Sequence, residues 1–184
     1  MIKTELKNIR QLSLEDIENY FEALGEKKFR ARQVYEWLWL KPVQSFDAMT
    51  NLSKELRKKL KEDFMLPGLT IDAIQTSSDG TIKTRFKTWD GHLVEGVLIP
   101  GTTTLTACVS SQIGCSLSCK FCATGYMDRK RNLNFDEIYD EVALINKQCE
   151  KEHGKKISNI VFMGMGEPLL NYNCLLYTSP SPRD

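Results

Sequence analysis

The hydrophobic period of the chain changes at Pro67-Gly68, and that switch limits what each side can become. Before it, apolar residues recur every three or four positions, the repeat of an amphipathic helix. Leu14, Ile17, Phe21 and Leu24 form one such stripe behind Ser13, a candidate N-cap. Phe29 to Leu40 continues with Val34, Trp37 and Leu38 until Pro42, which lacks the donor that a helix interior needs. Leu52, Leu56, Leu60 and Phe64 then lie four apart. After the switch the period drops to two. Asp79-Gly80 and Asp90-Gly91 read as hairpin turns, and between them Ile82, Thr84, Phe86 and Thr88 alternate with Lys83, Arg85, Lys87 and Trp89. Alternation puts the three basic residues on one face of a strand. Leu93 to Ile99 reads as the next strand, closed by Pro100-Gly101.

A third texture begins at residue 103. Residues 103–110 are β-prone, and a cysteine-rich stretch follows. Asn134 then opens a helix, with Glu137 three residues on and an apolar stripe of Phe135, Ile138, Tyr139, Val142 and Ile145. Residues 157–163 have strand length and lead into a Gly-Met-Gly-Glu-Pro loop. Strand, helix, strand is the grammar of a parallel α/β sheet or barrel. There is no internal repeat. From Cys174, the run CLLYTSPSPRD shows neither period and is read as a non-native tail, excluded from fold reasoning. The expected layout is a helical domain over 1–68, a β-hairpin segment over 69–101, the start of a (β/α) unit series over 102–173 and the tail over 174–184.

Lys and Arg number 25 against 24 Asp and Glu, so net charge alone announces no polyanionic partner. No apolar run approaches the roughly 18 residues that a membrane span needs. The N-terminus lacks the apolar stretch of a secretory signal, so a soluble cytoplasmic protein is expected. Three of the six cysteines fall within eight residues. In a reducing compartment, clustered thiols more often hold a metal or perform chemistry than form disulfides. Cys115, Cys119 and Cys122 form C-x3-C-x2-C. Structural zinc wants four ligands, usually in two separated pairs, whereas three close thiolates suit three corners of a four-iron cluster. The fourth iron then stays open to a ligand.

This motif, with Phe121 before its last cysteine, resembles the signature of the radical S-adenosylmethionine (SAM) superfamily. ACVSSQIGCSLSCKFCATG, RNL and VFMGMGEPLLNYN resemble its RlmN/Cfr branch, as do FRARQVYEWLW, FDAMTNLSKELR, SSDGTIKTRF and DGHLVEGVLIP upstream. The resemblance covers about residues 10–173. It implies an α/β fold: a helical RNA-binding accessory domain and β-hairpin, followed by a truncated radical SAM partial (β/α) barrel. It implies a [4Fe-4S] cluster on Cys115, Cys119 and Cys122, and SAM beside Gly166 and Glu167. It gives Glu95 the role of proton acceptor and Cys108 that of resolving a covalent enzyme–RNA intermediate. Glu95 shares a strand face with Leu93, Val97 and Ile99; were that face buried, the carboxyl pKa would rise, as suits a base.

The implied reaction is methylation of adenine carbon 2 in 23S rRNA and tRNA through a methyl-cysteine, with a flavodoxin-type electron donor, a disulfide bond and a monomeric enzyme. The Cfr-type alternative methylates carbon 8. A non-catalytic RNA-binding module with a structural metal stays open as a third reading. A full barrel takes roughly 250 residues, about 30 per unit, so residues 103–173 hold about two units. The methyl-carrying cysteine has no counterpart, since neither Cys149 nor Cys174 fits its position. The chain therefore reads as an N-terminal fragment that should not methylate adenine by itself. Phosphate contacts are expected among Lys27, Lys28, Arg30 and Arg32; Arg57, Lys58, Lys59 and Lys61; Lys83, Arg85 and Lys87; and Arg129, Lys130 and Arg131.

Overall fold

The structure, a computed structural model, describes residues 6–41 and 43–178. Pro42, assigned above to stop a helix, lies outside the described residues. The chain divides into two compact units at Pro67/Gly68, where the hydrophobic period changes.

The first unit is helical, with one short strand pairing. Strand β1 (Lys7–Asn8) pairs in parallel with β2 (Phe64–Met65), which ties the two ends of the unit together. Helix α1 (Leu14–Ala23) starts at a capping box: the Ser13 hydroxyl accepts from the Asp16 N–H, and Asp16 accepts from the Ser13 N–H. Two otherwise orphaned donors are thereby satisfied. Helix α2 (Lys28–Trp39) follows, then α3 (Lys54–Asp63), capped by Ser53. Their stripes meet in a core of Ile17, Phe21, Val34, Leu38, Leu56 and Leu60, with Ile9 and Phe64 closing it. Each such side chain contributes about 1.5–3 kcal/mol by leaving water. Leu24, read as part of the first stripe, stays 38% exposed because the helix ends at Ala23.

The second unit is a five-stranded sheet with a helix on one face. Strands β3 (Thr70–Thr76), β4 (Ile82–Lys87), β5 (Leu93–Pro100) and β6 (Leu105–Cys108) run antiparallel in chain order. A two-stranded ribbon, β7 (Gln112–Ile113) with β8 (Arg131–Asn132), brackets the cysteine-rich stretch. Helix α4 (Phe135–His153) then leads to β9 (Asn159–Val161), which pairs in parallel with β6. The strand–helix–strand unit read from the sequence is therefore β6–α4–β9. Residues 69–101 are not a separate layer, because β3–β5 continue the same sheet.

Phe86, Val94, Leu98 and Ala107 form the core with Ile138 and Ile145 of α4. Gly96 lies beneath the helix: a β-carbon there would sit 2.9 Å from both the Ile145 Cδ1 and Phe86. Helix α4 ends at Gly154 in the left-handed conformation. The stretch from Cys174, read as aperiodic, is helical to the end of α5 (Tyr172–Thr178), and Cys174 and Leu175 pack against this core. Residues 179–184 lie outside the described residues.

Candidate functional site

The sheet face away from α4 carries the side chains read as catalytic. Register pairs Arg85 with Glu95 and Val97 with Cys108, so Glu95 and Cys108 project from the same face on adjacent strands, one diagonal step apart. Lys83 lies on that face too, with its Nζ 2.7 Å from a Glu95 carboxylate oxygen. This corrects the apolar surroundings read for Glu95: its side chain is 39% exposed, and Leu93 and Ile99 beside it are each 40% exposed. The buried face of β5 is that of Val94, Gly96 and Leu98. Cys108 is buried, and burial pushes its thiol pKa up; a backbone hydrogen bond with Met163 opposes the rise and the charge of Glu141 adds to it.

The chain leaving β6 is a buried polar hub that the sequence reading missed. Ser110, Ser111 and Gln112 are all buried. The Ser110 hydroxyl donates to the Glu95 carbonyl at 2.6 Å and accepts from the Met165 N–H at 2.9 Å. Its N–H donates to Glu141 at 2.7 Å. Gln112 accepts from the Glu167 N–H at 2.9 Å and donates to Asn132 at 2.7 Å. The available signal was three consecutive polar residues directly after a β-prone run, which cannot be buried without partners. Glu141 is fully buried, and desolvation raises its pKa well above the usual carboxylate range.

The glycine loop is fastened to this hub. Gly166 has φ 95°, and a β-carbon there would lie 2.5 Å from the Gln112 Cβ. One at Gly164 would lie 2.7 Å from the Val109 carbonyl oxygen. The glycines were expected to let backbone approach a ligand; the close approach seen is to the protein's own β6 exit. Glu167 caps the turn that follows, accepting from the Leu169 N–H at 3.1 Å.

Cys115, Cys119 and Cys122 all sit half-buried on the loop between β7 and β8. The Leu117 N–H donates to the Cys115 Sγ at 3.4 Å. Hydrogen bonds from the Gly125 and Thr124 backbones lower the Cys122 pKa. Cys119 and Cys122 are joined by a turn, Cys122 N–H to Cys119 carbonyl at 3.1 Å, and Gly125 lies so close to the Cys119 backbone that a β-carbon would approach to 2.7 Å. Thiols alone, with backbone N–H groups turned toward two of them, are a donor set suited to iron–sulfur ligation. Among the described residues no three Cys, His, Asp or Glu side chains converge as a metal site. All six cysteines are free, so the expected disulfide is not formed.

Arg131, read as a phosphate ligand, is a clamp instead. Its guanidinium binds both oxygens of Asp90 at 2.8 and 3.0 Å and both of Glu137 at 2.6 and 2.8 Å. Fork-to-fork pairs of this kind saturate its donors. The cysteine loop is thereby anchored to the β4–β5 turn and to the first turn of α4. Arg85 is likewise held by Asp72 at 2.6 Å.

The comparisons with known proteins agree with this layout. A family model described as the ribosomal RNA large subunit methyltransferase N-terminal domain matches residues 7–66. A probable dual-specificity RNA methyltransferase RlmN of Cytophaga hutchinsonii is 59% identical over 175 residues, covering 94% of this chain and 48% of that protein. Over most of its length the chain is thus similar to RlmN proteins. Its counterpart in Christiangramia forsetii is 54% identical, with 94% of this chain and 49% of the relative covered. The crystal structure of a radical SAM methyltransferase from Sphaerobacter thermophilus superposes with a TM-score of 0.80 at 39% identity, over 94% of this chain and 50% of that one. The chain thus spans about half the length of the RlmN relatives it matches. No helix among the described residues is long and apolar enough to cross a membrane.

Proposed function

We propose that this chain carries the cluster-binding and base-facing parts of a radical SAM methyltransferase acting on carbon 2 of adenine in 23S rRNA and tRNA through a methyl-cysteine. The observation that supports it is the placement of Glu95 and Cys108 on one sheet face, with Ser110, just past Cys108 on the way to the thiol loop, hydrogen-bonded to both the Glu95 carbonyl and the Met165 N–H of the glycine loop. Cys115, Cys119 and Cys122 would hold the iron–sulfur cluster, and the loop at Gly166 and Glu167 would bind SAM. A cluster with SAM supplies hydrogen-atom abstraction at a carbon that polar chemistry cannot activate. An aromatic C–H is neither acidic nor nucleophilic, so polar methyl transfer from SAM would fail there.

Glu95 is half-exposed, open to an incoming base, and accepts the proton lost from the methylated carbon. Lys83 orients it from the neighbouring strand. Burial keeps Cys108 a neutral thiol until it is required as a nucleophile. The same reading takes a flavodoxin-type electron donor and a monomeric, cytoplasmic enzyme.

Anaerobic iron and sulfide loading of the chain tests the assignment. Iron uptake with visible charge-transfer absorption, lost in C119A and altered by SAM, is expected. Stoichiometric zinc with no iron uptake would favour the non-catalytic module. For a full-length protein containing this chain, mass spectrometry of digested RNA separates carbon-2 from carbon-8 methylation.

A further inference from the structure

The thiol loop and the glycine loop stand on one short ribbon. The thiol loop leaves β7 after Ile113 and returns to β8 at Arg131. Its neck is closed: a β-carbon at Gly114, which has φ 74°, would collide with the Asp128 carbonyl oxygen. Gln112 of β7 and Asn132 of β8 are direct cross-strand partners, one on each leg of that neck. The Gln112 Nε2 donates to the Asn132 Oδ1 at 2.7 Å. The Gln112 Oε1 accepts at 2.9 Å from the N–H of Glu167, 55 positions away in the glycine loop. The Asn132 Nδ2 donates to the Leu170 carbonyl at 3.0 Å. One pair of side-chain amides therefore joins both legs of the thiol loop to the glycine loop.

The glycine loop has other anchors on either side of Glu167. The Met165 N–H donates to the Ser110 hydroxyl at 2.9 Å, and the Met165 carbonyl accepts from the Ser111 and Gln112 N–H groups at 2.9 and 3.2 Å. Past the loop, the buried Asn171 side chain donates to the Ser111 and Leu133 carbonyls at 2.9 and 2.8 Å. Between these anchors the Gln112 side chain sets the backbone, lying flush against Gly166 and accepting from Glu167. Taking away its amide therefore leaves the loop attached and frees the Glu167 N–H. The direction of that amide is fixed as well. Gln112 is buried, so both of its polar atoms need partners. Arg129 also donates to the Asn132 Oδ1, at 2.9 Å, which holds that oxygen toward Gln112 and turns the Gln112 carbonyl to Glu167.

We infer that Gln112, aligned by Asn132, is a positioning residue for SAM: it fixes the Glu167 segment of the glycine loop at one separation from the neck of the thiol loop. It touches neither the thiols nor the bound cofactor and acts through the Glu167 backbone. Groups behind a ligand shell hold it in its productive geometry, and their loss weakens binding while the ligands themselves stay in place. This inference rests on the reading that the thiols hold a cluster and the glycine loop holds SAM.

The test uses a full-length protein containing this chain, loaded anaerobically with iron and sulfide. SAM is titrated while the electron paramagnetic resonance of the chemically reduced cluster is followed. Q112L should keep the parent's iron content and need about tenfold more SAM, or beyond, for the half-maximal spectral change. N132L should behave like Q112L. N132D keeps the oxygen that faces Gln112 and should stay within about threefold of the parent. Q148L removes another amide of the same unit, one paired with Thr84 at 2.8 Å, and should match the parent. Hydrogen exchange without iron should be faster over residues 164–170 in Q112L and unchanged in α4. The inference is overturned by a parental SAM response in Q112L, by Q148L shifting as far as Q112L, by N132D shifting as far as N132L, or by unchanged exchange over 164–170. Loss of iron from Q112L in step with the SAM response would also overturn it, because that marks a scaffold residue. A parent that takes up iron and gives no response to SAM sinks the functional reading, and the inference with it. A responding parent with an unmoved Q112L sinks the inference alone.

Discussion

Replacing Arg131 by methionine removes one side chain from two carboxylates at once, and the structure ranks the consequences. Glu137 is 3% exposed, so its charge is left in a poorly solvated site with the Asn134 N–H, at 2.9 Å, as the remaining donor among the described residues. Stranding a buried charge in this way costs about 3–5 kcal/mol. Asp90 is 21% exposed, and the Arg131 guanidinium holds its carboxyl at about 2, against an ordinary 3.8. That shift corresponds to at most about 2.4 kcal/mol, and solvent screening reduces it to about 1 kcal/mol. The expected loss is therefore dominated by Glu137, about 3–5 kcal/mol at neutral pH. Urea unfolding followed by circular dichroism measures it as a fall in midpoint at constant slope.

Two further signatures follow from the same pairs. Adding E137Q to R131M removes the stranded charge and should recover about half of the loss. The Asp90 contribution has a definite sign: its folded pKa is depressed, so the stabilisation is complete above about 3.8 and disappears as pH falls through about 2. The parent should show that acid dependence, and R131M should lose most of it, the Thr88 hydroxyl and His92 still lowering the Asp90 pKa. An R131M variant within about 1 kcal/mol of the parent, or an E137Q addition that destabilises further, would refute the clamp.

S110A should cost about 1–3 kcal/mol in the same assay, because it leaves the Met165 N–H and the Glu95 carbonyl without their buried partner. G166A should cost about 2–4 kcal/mol, from the side chain forced to positive φ and from the collision with Gln112. Alkylation of Cys108 by iodoacetamide, read by peptide mass spectrometry, should be slow at neutral pH and still rising above pH 9, the ordinary midpoint of a thiol. A plateau below that pH would contradict the burial argument.

Local signals located most of the elements. Ser13 caps the helix it precedes, and Asp79-Gly80 and Asp90-Gly91 turn their hairpins, because caps and turns are decided by a few neighbouring atoms. The thiol loop was legible for the same reason: its ligand spacing is contained in eight residues. The surroundings of single side chains were not. Glu95 sits in an apolar-looking strand, yet alternation alone does not say which face meets the helix. Arg131 read as a phosphate contact in a basic run until the fold brought Asp90, 41 positions away, to it. Ser110 and Glu141 showed no pattern, since their partners are 15 to 55 positions distant.

The order of residues by itself determined the change from helical to sheet period at Pro67-Gly68 and the trio of thiols at 115, 119 and 122, because both depend on interactions within a few positions. Only the tertiary structure decided that Glu95 and Cys108 share a face and that Arg131 is spent on two carboxylates. Burial and charge pairing are properties of groups brought together from distant positions, and no local repeat encodes which groups will meet.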